Sequence, residues 1–320
     1  MKKLSILLVL ALLMVCAVPA LAAAEWSFNG WMQSENTFGE NSDGGDDNDY
    51  ALQTRFTANA KVNDSTTFVY QIRTMGPYSK GEYDGLRTRL AYISTNPVDG
   101  LNITMGKQAL WMAGGFLIDD FIRGVSASYQ LGEGLSAFAA MGRYQGNPDN
   151  QIYAASLNGN VSGLDWGVSA ISGTYSAHPM PADYEGTLVA AVNAGYNVME
   201  GMNLSLVYAV NTKSKSAWET DDDDNTGLKF QIAYTGIEKT AIFVQHFAQG
   251  AYLLLPTENG NYVPQWGDNY AKTTGTTGTR LVVEYQATPN FGLGFVYGTY
   301  DLNDGSGDGT KGVVSFTYAF

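Results

Sequence analysis

From residue 25 to the last position this chain alternates. In the final segment Val314, Phe316, Tyr318 and Phe320 occupy one phase, and Val313, Ser315, Thr317 and Ala319 the other. The same period returns at Leu52/Thr54/Phe56/Ala58, Phe68/Tyr70/Ile72, Leu188/Ala190/Val192/Ala194/Tyr196, Leu204/Leu206/Tyr208/Val210, Leu228/Phe230/Ile232/Tyr234, Leu281/Val283/Tyr285/Ala287 and Phe291/Leu293/Phe295/Tyr297. Successive side chains of a strand point to opposite faces, so a period of two specifies a sheet with one apolar face. Alternation and turn residues together predict sixteen strands, near 25–38, 49–62, 66–76, 85–95, 100–108, 121–131, 134–145, 151–160, 164–175, 186–197, 201–213, 226–236, 239–249, 276–288, 290–300 and 310–320. No segment after residue 24 offers a helical face.

The connections alternate too. Tight ones such as Asn63-Asp64-Ser65, Met199-Glu200 and Thr288-Pro289 trade places with long ones such as 39–48, 214–225 and 250–275. Short turns at one end and long loops at the other are the pattern of an antiparallel transmembrane β-barrel with periplasmic turns and extracellular loops. A soluble propeller or double sandwich would also alternate, but it would bury its apolar face against a second layer. The 20 tyrosines, many near strand ends, fit aromatic girdles at two membrane interfaces better than a dry core. With 45% hydrophobic and 15% charged residues the chain is neither disordered nor a bundle of spanning helices.

The one long apolar run lies at the start. Lys2 and Lys3 precede Leu4 to Val18, followed by Pro19 and the alanine-rich Ala20 to Ala24, the layout of a secretory signal with an Ala-x-Ala cleavage site. Residues 1–24 are therefore expected to be a cleaved signal peptide and 25–320 a single barrel domain. Cleavage removes the one cysteine, Cys16, so no disulfide staples the remainder.

The ending Phe316-Thr317-Tyr318-Ala319-Phe320 resembles the C-terminal signal of Gram-negative outer-membrane β-barrels. Sixteen strands, with a loop at 109–119 after the fifth, resemble the trimeric general diffusion porins, in which the loop at that place folds into the pore. The resemblance implies a homotrimer in the outer membrane, in contact with lipid and lipopolysaccharide and passing small hydrophilic solutes, with no cofactor. Loop 109–119 departs from the family in being short and in lacking an acidic, Gly-rich motif.

Sixteen strands spaced about 4.8 Å apart and tilted about 40° leave a lumen near 20 Å across, too wide for side chains to fill. Parity then assigns the charges. With Leu52, Phe56 and Ala58 outward, Gln53, Arg55, Thr57 and Lys61 point inward. Gln71 and Arg73 do the same on the third strand, and Arg87 and Arg89 on the fourth, opposite Thr88, Leu90 and Tyr92. An arginine facing lipid at mid-bilayer costs about 2–4 kcal/mol, which favours the inward assignment. Arg55, Arg73, Arg87 and Arg89 thus form a basic wall, and Asp119 and Asp120, at the end of the inward loop, are expected across from it. Arg143, Lys229 and Arg280 against Asp165 and Glu284 add a tilt toward anions. Lys107 and Arg123 break the parity by sharing a phase with apolar neighbours, which places a bulge or strand end beside the loop.

Other functions have less support in the residues. A hydrolase on a barrel needs a nucleophile or paired carboxylates with a histidine, and His178 and His246 have no Ser and acid at a recognisable spacing. There is no Cys-x-x-Cys-His for haem and no basic stripe for nucleic acid. The acidic clusters Asp43, Asp46, Asp47, Asp49 and Asp221 to Asp224 carry the oxygen ligands that Ca²⁺ or Mg²⁺ prefers, but solvated loop tips explain them as well and no metal site is assigned. A substrate-specific channel is the alternative to general diffusion, with Trp111, Phe116 and the apolar loop 250–275 as stacking surfaces.

Overall fold

In the computed structural model of the chain, residues 24–40, 49–77, 84–144, 151–173, 187–212, 225–250, 276–302 and 307–320 are described. The expected leader before residue 24, the acidic clusters at 43–47 and 221–224, His178 and the apolar stretch 251–275 lie outside them. The strands are β1 (Glu25–Glu40), β2 (Asp49–Asn63), β3 (Thr66–Pro77), β4 (Asp84–Val98), β5 (Leu101–Met112), β6 (Ile118–Gly132), β7 (Leu135–Tyr144) and β8 (Gln151–Val161). They continue as β9 (Leu164–Gly173), β10 (Thr187–Met199), β11 (Met202–Asn211), β12 (Thr226–Ile237), β13 (Thr240–Gln249), β14 (Thr276–Thr288), β15 (Phe291–Leu302) and β16 (Asp308–Ala319). Each pairs antiparallel with its sequence neighbours, and β1 pairs with β16 to close the barrel.

Two-residue turns join β2 to β3, β4 to β5 and every later pair at that end of the barrel. Four of them place glycine second with positive φ: Gly100, Gly134, Gly163 and Gly201. Such turns match the twist of antiparallel strands and fix the register, which in turn fixes which face each side chain takes. At the seam Gly30 and Phe320 exchange both backbone hydrogen bonds, each 2.9 Å. The Phe320 ring covers the site where a Gly30 side chain would stand.

The register divides the side chains into two sets. Phe28, Met141 and Val192 point outward and are 61%, 57% and 53% exposed, whereas Ile152 and Val189 point inward and are 1% and 0% exposed. The buried inward residues show that part of this lumen is packed. Their partners come from the β5–β6 hairpin.

β4 and β5 pair only as far as Ala91 and Lys107, while β5 and β6 stay paired through Met112 and Ile118. The end of the hairpin therefore leaves the wall on the β4 side. Gly106, with φ +128° and no room for a Cβ against the Ala91 carbonyl, marks the departure. Five residues, 113–117, form the tip, in which Ala113, Gly114 and Gly115 all have positive φ. Leu110, Met112, Phe116, Leu117, Ile118 and Ile122 bury themselves against Ile152 of β8, Ile171 of β9, Val189 of β10, Val207 of β11 and Phe247 of β13. Tyr300 and Leu302 of β15 join the same cluster.

Three features differ from those expected of the sequence. Residues 109–112 and 118–119 are strand, so the inward element is a hairpin with a short tip and not a loop over 109–119. Its tip packs inside the barrel and fills one sector of the lumen. The β3–β4 register shifts between Gln71 and Ile72, leaving Arg89 as the extra residue, so Leu90 and Tyr92 pair with the inward-facing Gln71 and Val69. A bulge changes parity without changing composition. Arg143 pairs with Arg123 in the phase of the exposed Val125 and Met141, which puts it on the outside and not on the lumen wall.

Candidate functional site

Among the described residues the apolar cluster draws on β5 to β11, β13 and β15, and takes nothing from β1 to β4, β12, β14 or β16. The inward faces of those strands carry the arginines and glutamines, with Val69, Leu90 and Tyr92 among them. Among the described residues the lumen is therefore divided into an apolar, packed sector and a more polar one, and Arg55, Arg73, Arg87 and Arg89 lie in the polar one.

Register aligns them. Trp31 of β1 pairs with Arg55 of β2, Arg55 with Arg73 of β3, and Arg73 with Arg87 of β4, so three guanidinium groups start from one row across adjacent strands. The Arg55 guanidinium lies 4.1 Å from the centroid of the Trp31 ring. Arg87 is exposed to the lumen, and Arg55, Arg73 and Arg89 are half-buried. Glu35 lies within electrostatic reach of Arg55 and of Lys311 on β16. Arg55 itself feels Arg73 and Arg89.

Glutamines hold several of these cations. Arg55 Nε donates to Gln53 Oε1 at 2.6 Å, and Arg89 Nη1 donates to Gln71 Oε1 at 3.2 Å, while Gln71 Nε2 donates to Thr57 Oγ1 at 2.7 Å. Across the seam, Arg280 of β14 donates to Gln245 of β13, which in turn donates to Gln231 of β12. An amide acceptor orients a guanidinium without bringing a negative charge to it. Sequence reading placed Gln53 and Gln71 inward but gave them no role. For Gln53 the signal was present as Gln-x-Arg at 53–55, where one strand face carries both groups two residues apart, whereas the Gln71–Arg89 bond crosses between strands.

The hairpin's second face turns toward this row. Phe121 of β6 lies 4.9 Å beneath the Arg89 guanidinium and 6.0 Å from Lys107 Nζ, and Lys107 donates to the backbone carbonyl of Thr88. Lys107 thus escapes the parity rule because its strand leaves the wall, as the break at that place suggested. Trp111 is 62% exposed, with its ring set over Gly115 at the tip. Phe116, by contrast, is buried in the cluster and offers no stacking surface. Asp119 and Asp120 pair through their backbones with Trp111 and Leu110, and their side chains lie outside the described residues.

The remaining sequence candidates scatter. Lys229 of β12 faces inward and its Nζ donates to the Gly114 carbonyl at 3.1 Å. Asp165 accepts from Asn160 at 2.6 Å near the turn end, and Lys61 pairs with Asp64 at 2.8 Å in the first short turn. His246 lies in the outward phase and shares a hydrogen bond with Thr279 at 3.0 Å, away from the lumen. Among the described residues no three His, Cys, Asp or Glu side chains stand close enough to hold a metal ion.

Neither a model of a known protein family nor any curated protein sequence matches this chain. Solved structures do. OmpF of Salmonella typhi, in a complex with daunomycin, superposes with a TM-score of 0.63 at 12% identity, over 93% of this chain and 98% of that one. A loop-deletion form of OmpT, an outer membrane protein of Vibrio cholerae, gives 0.59 at 14% identity over 93% and 100%. A triple mutant of the porin of Rhodopseudomonas blastica gives 0.58 at 11% over 92% and 100%. At such identities the likeness establishes architecture, and the chain has the closed sixteen-stranded fold of the general diffusion porins.

Proposed function

We propose that this chain is a passive outer-membrane porin whose water-filled passage runs along the β14, β16 and β1–β4 sector and lets small hydrophilic solutes and ions down their gradients. One observation carries the reading: the arginine row at Arg55, Arg73 and Arg87 faces a polar sector while the hairpin packs the other side. A barrel of this width cannot fill itself with wall side chains alone, and here the apolar filling stops short of the charged wall. In this orientation the two-residue turns face the periplasm, the longer connections face outward, and residues 1–24 are the export signal removed on the way. The chain works as a homotrimer among outer-membrane lipid and lipopolysaccharide, and the reading assigns it no catalysis, cofactor or nucleic acid.

By register the described inward charges of this sector are mostly positive: Arg55, Lys61, Arg73, Arg87, Arg89, Arg280 and Lys311 against Glu25, Glu35, Asp49 and Glu284. Water-filled passages with one sign of charge on their walls favour the opposite ion, so anions pass more readily than cations. The test is a planar-bilayer recording under a salt gradient. Ohmic steps with an anion-directed reversal potential support the proposal, and a cation-directed potential removes the arginine row from it.

A second reading has its own support. Trp31 and Phe121 bring aromatic faces to Arg55 and Arg89, and Trp111 is exposed at the hairpin tip, which suits a channel that binds a particular organic anion on its way through. Concentration-dependent block of the current by small organic anions would favour that reading over general diffusion.

A further inference from the structure

Two arginines stand outside the lumen account. Arg123 of β6 and Arg143 of β7 are direct cross-strand partners, both exposed, in the outward phase of Val125, Tyr129 and Met141. Like charges directly opposed on one sheet face destabilise each other, and arginine on a lipid-facing surface is unfavourable in hydrocarbon. Among the described residues neither has a carboxylate or other side-chain partner. An anion placed between the two guanidinium groups removes both costs.

The surroundings say what kind of anion. The row runs from Lys107 of β5 through Arg123 and Arg143 to Gln151 of β8, and because Lys107 turns to the Thr88 carbonyl, Arg123, Arg143 and Gln151 form the polar band at the loop end of the outer face. The next row toward the turn end is Val125, Met141 and Tyr153, and the one after it Ala127, Ala139 and Ala155. Val125, Met141 and Tyr153 are 40%, 57% and 50% exposed, and the Tyr153 hydroxyl reaches back to Gln151 at 3.0 Å. Cationic donors above an apolar, outward surface match an amphiphile with a phosphate head and acyl chains. Guanidinium forks bind phosphate through paired hydrogen bonds, which a single point charge cannot copy.

We infer that Arg123 and Arg143 form a binding site for the phosphate of a phosphorylated lipid headgroup, seated on the outer wall with its chains along Met141 and Tyr153. The inference rests on the membrane-spanning reading above, but it is independent of what crosses the lumen. It also explains why two arginines sit where parity would place apolar residues.

The test uses the full folded protein, delipidated in detergent and titrated with diphosphoryl lipid A while bound lipid is counted by native mass spectrometry. Wild type is expected to bind, R123Q/R143Q to bind at least tenfold less, R123K/R143K to retain part of the binding, and the lumen pair R55Q/R73Q to bind as wild type. The single variants R123Q and R143Q, each expected to lose threefold or more, serve if the double variant does not fold. Equal binding by wild type and R123Q/R143Q overturns the site, as does failure of wild type to bind. Displacement of the lipid by millimolar inorganic phosphate would make it a free-anion site and overturn the lipid assignment. Self-association that the double variant abolishes would assign the pair to a neighbouring copy instead. Conductance of the same samples separates the two readings, because a conducting wild type that binds no lipid A contradicts this inference alone.

Discussion

Lys229 and Gly114 are 115 residues apart in sequence and joined across the lumen, the Lys229 ammonium donating to the Gly114 carbonyl at 3.1 Å. The bond pins the tip of the β5–β6 hairpin to β12, a strand that gives nothing to the apolar cluster. The hairpin is thus held by packing on one side and by a charge-assisted hydrogen bond on the other.

Replacing Lys229 with methionine removes the pin and leaves the packing. A hydrogen bond to a charged group contributes about 1.5–3 kcal/mol when enclosed and less at a partly exposed site, so a loss of about 1 kcal/mol is expected. Denaturant unfolding in detergent should show that small loss. Single-channel records should show more open-channel noise with the mean conductance little changed. Noise equal to wild type would mean the tip does not depend on this bond.

Phe116 anchors the tip from the other side and is 1% exposed. Phe116→Ala opens a cavity in a packed cluster and should cost about 3–5 kcal/mol of stability. Ile122→Val, smaller by one methylene at a position 0% exposed, should cost about 0.5–1.5 kcal/mol. Unfolding midpoints in the same detergent rank the two, and equal values would contradict a packed lumen sector.

Gly106 carries the bend at which β5 leaves β4. Its φ of +128° is open to glycine and strained for other residues, and an added Cβ would collide with the Ala91 carbonyl and the Tyr92 backbone. Gly106→Val should therefore reduce the yield of folded barrel, read from the loss of the heat-resistant band in gel electrophoresis. A variant as stable as wild type would place the departure of the hairpin elsewhere.

On the proposed function the arginine row sets the sign of the lumen field. Neutralising Arg73, Arg87 and Arg89 together, each to glutamine, should move the reversal potential toward cations and lower the anion-to-cation permeability ratio at least about twofold, because surface potentials of this kind reach several kT. An unchanged potential would show that ions pass away from these residues.

The strand count and the turn end were legible in the chain because period two and two-residue turns are local properties, and sixteen segments repeat them. The lumen core was harder to see. On β10 Leu188, Ala190 and Val192 read as the apolar face, yet Val189 and Ala191 on the other face are apolar too and are buried by the hairpin. An apolar residue facing a wet lumen would have no partner, so apolar residues on both faces of neighbouring strands were the available signal. That double face also hid the phase of Arg143, since Phe138 and Ala140 looked as apolar as Ala139 and Met141. The bulge at Arg89 left Arg87 and Arg89 inward as read from the sequence but moved Leu90 and Tyr92, because a register shift depends on pairing, which no single strand encodes. The glutamines were read as lumen lining, and their hydrogen bonds to arginine appear only when strands are set side by side.

Conductance of the purified, folded protein in a planar bilayer tests the divided lumen most directly. The account predicts stepwise, ohmic currents that persist in wild type. Insertion of intact barrels without any current would contradict it, for then the hairpin would close the whole passage and not one sector.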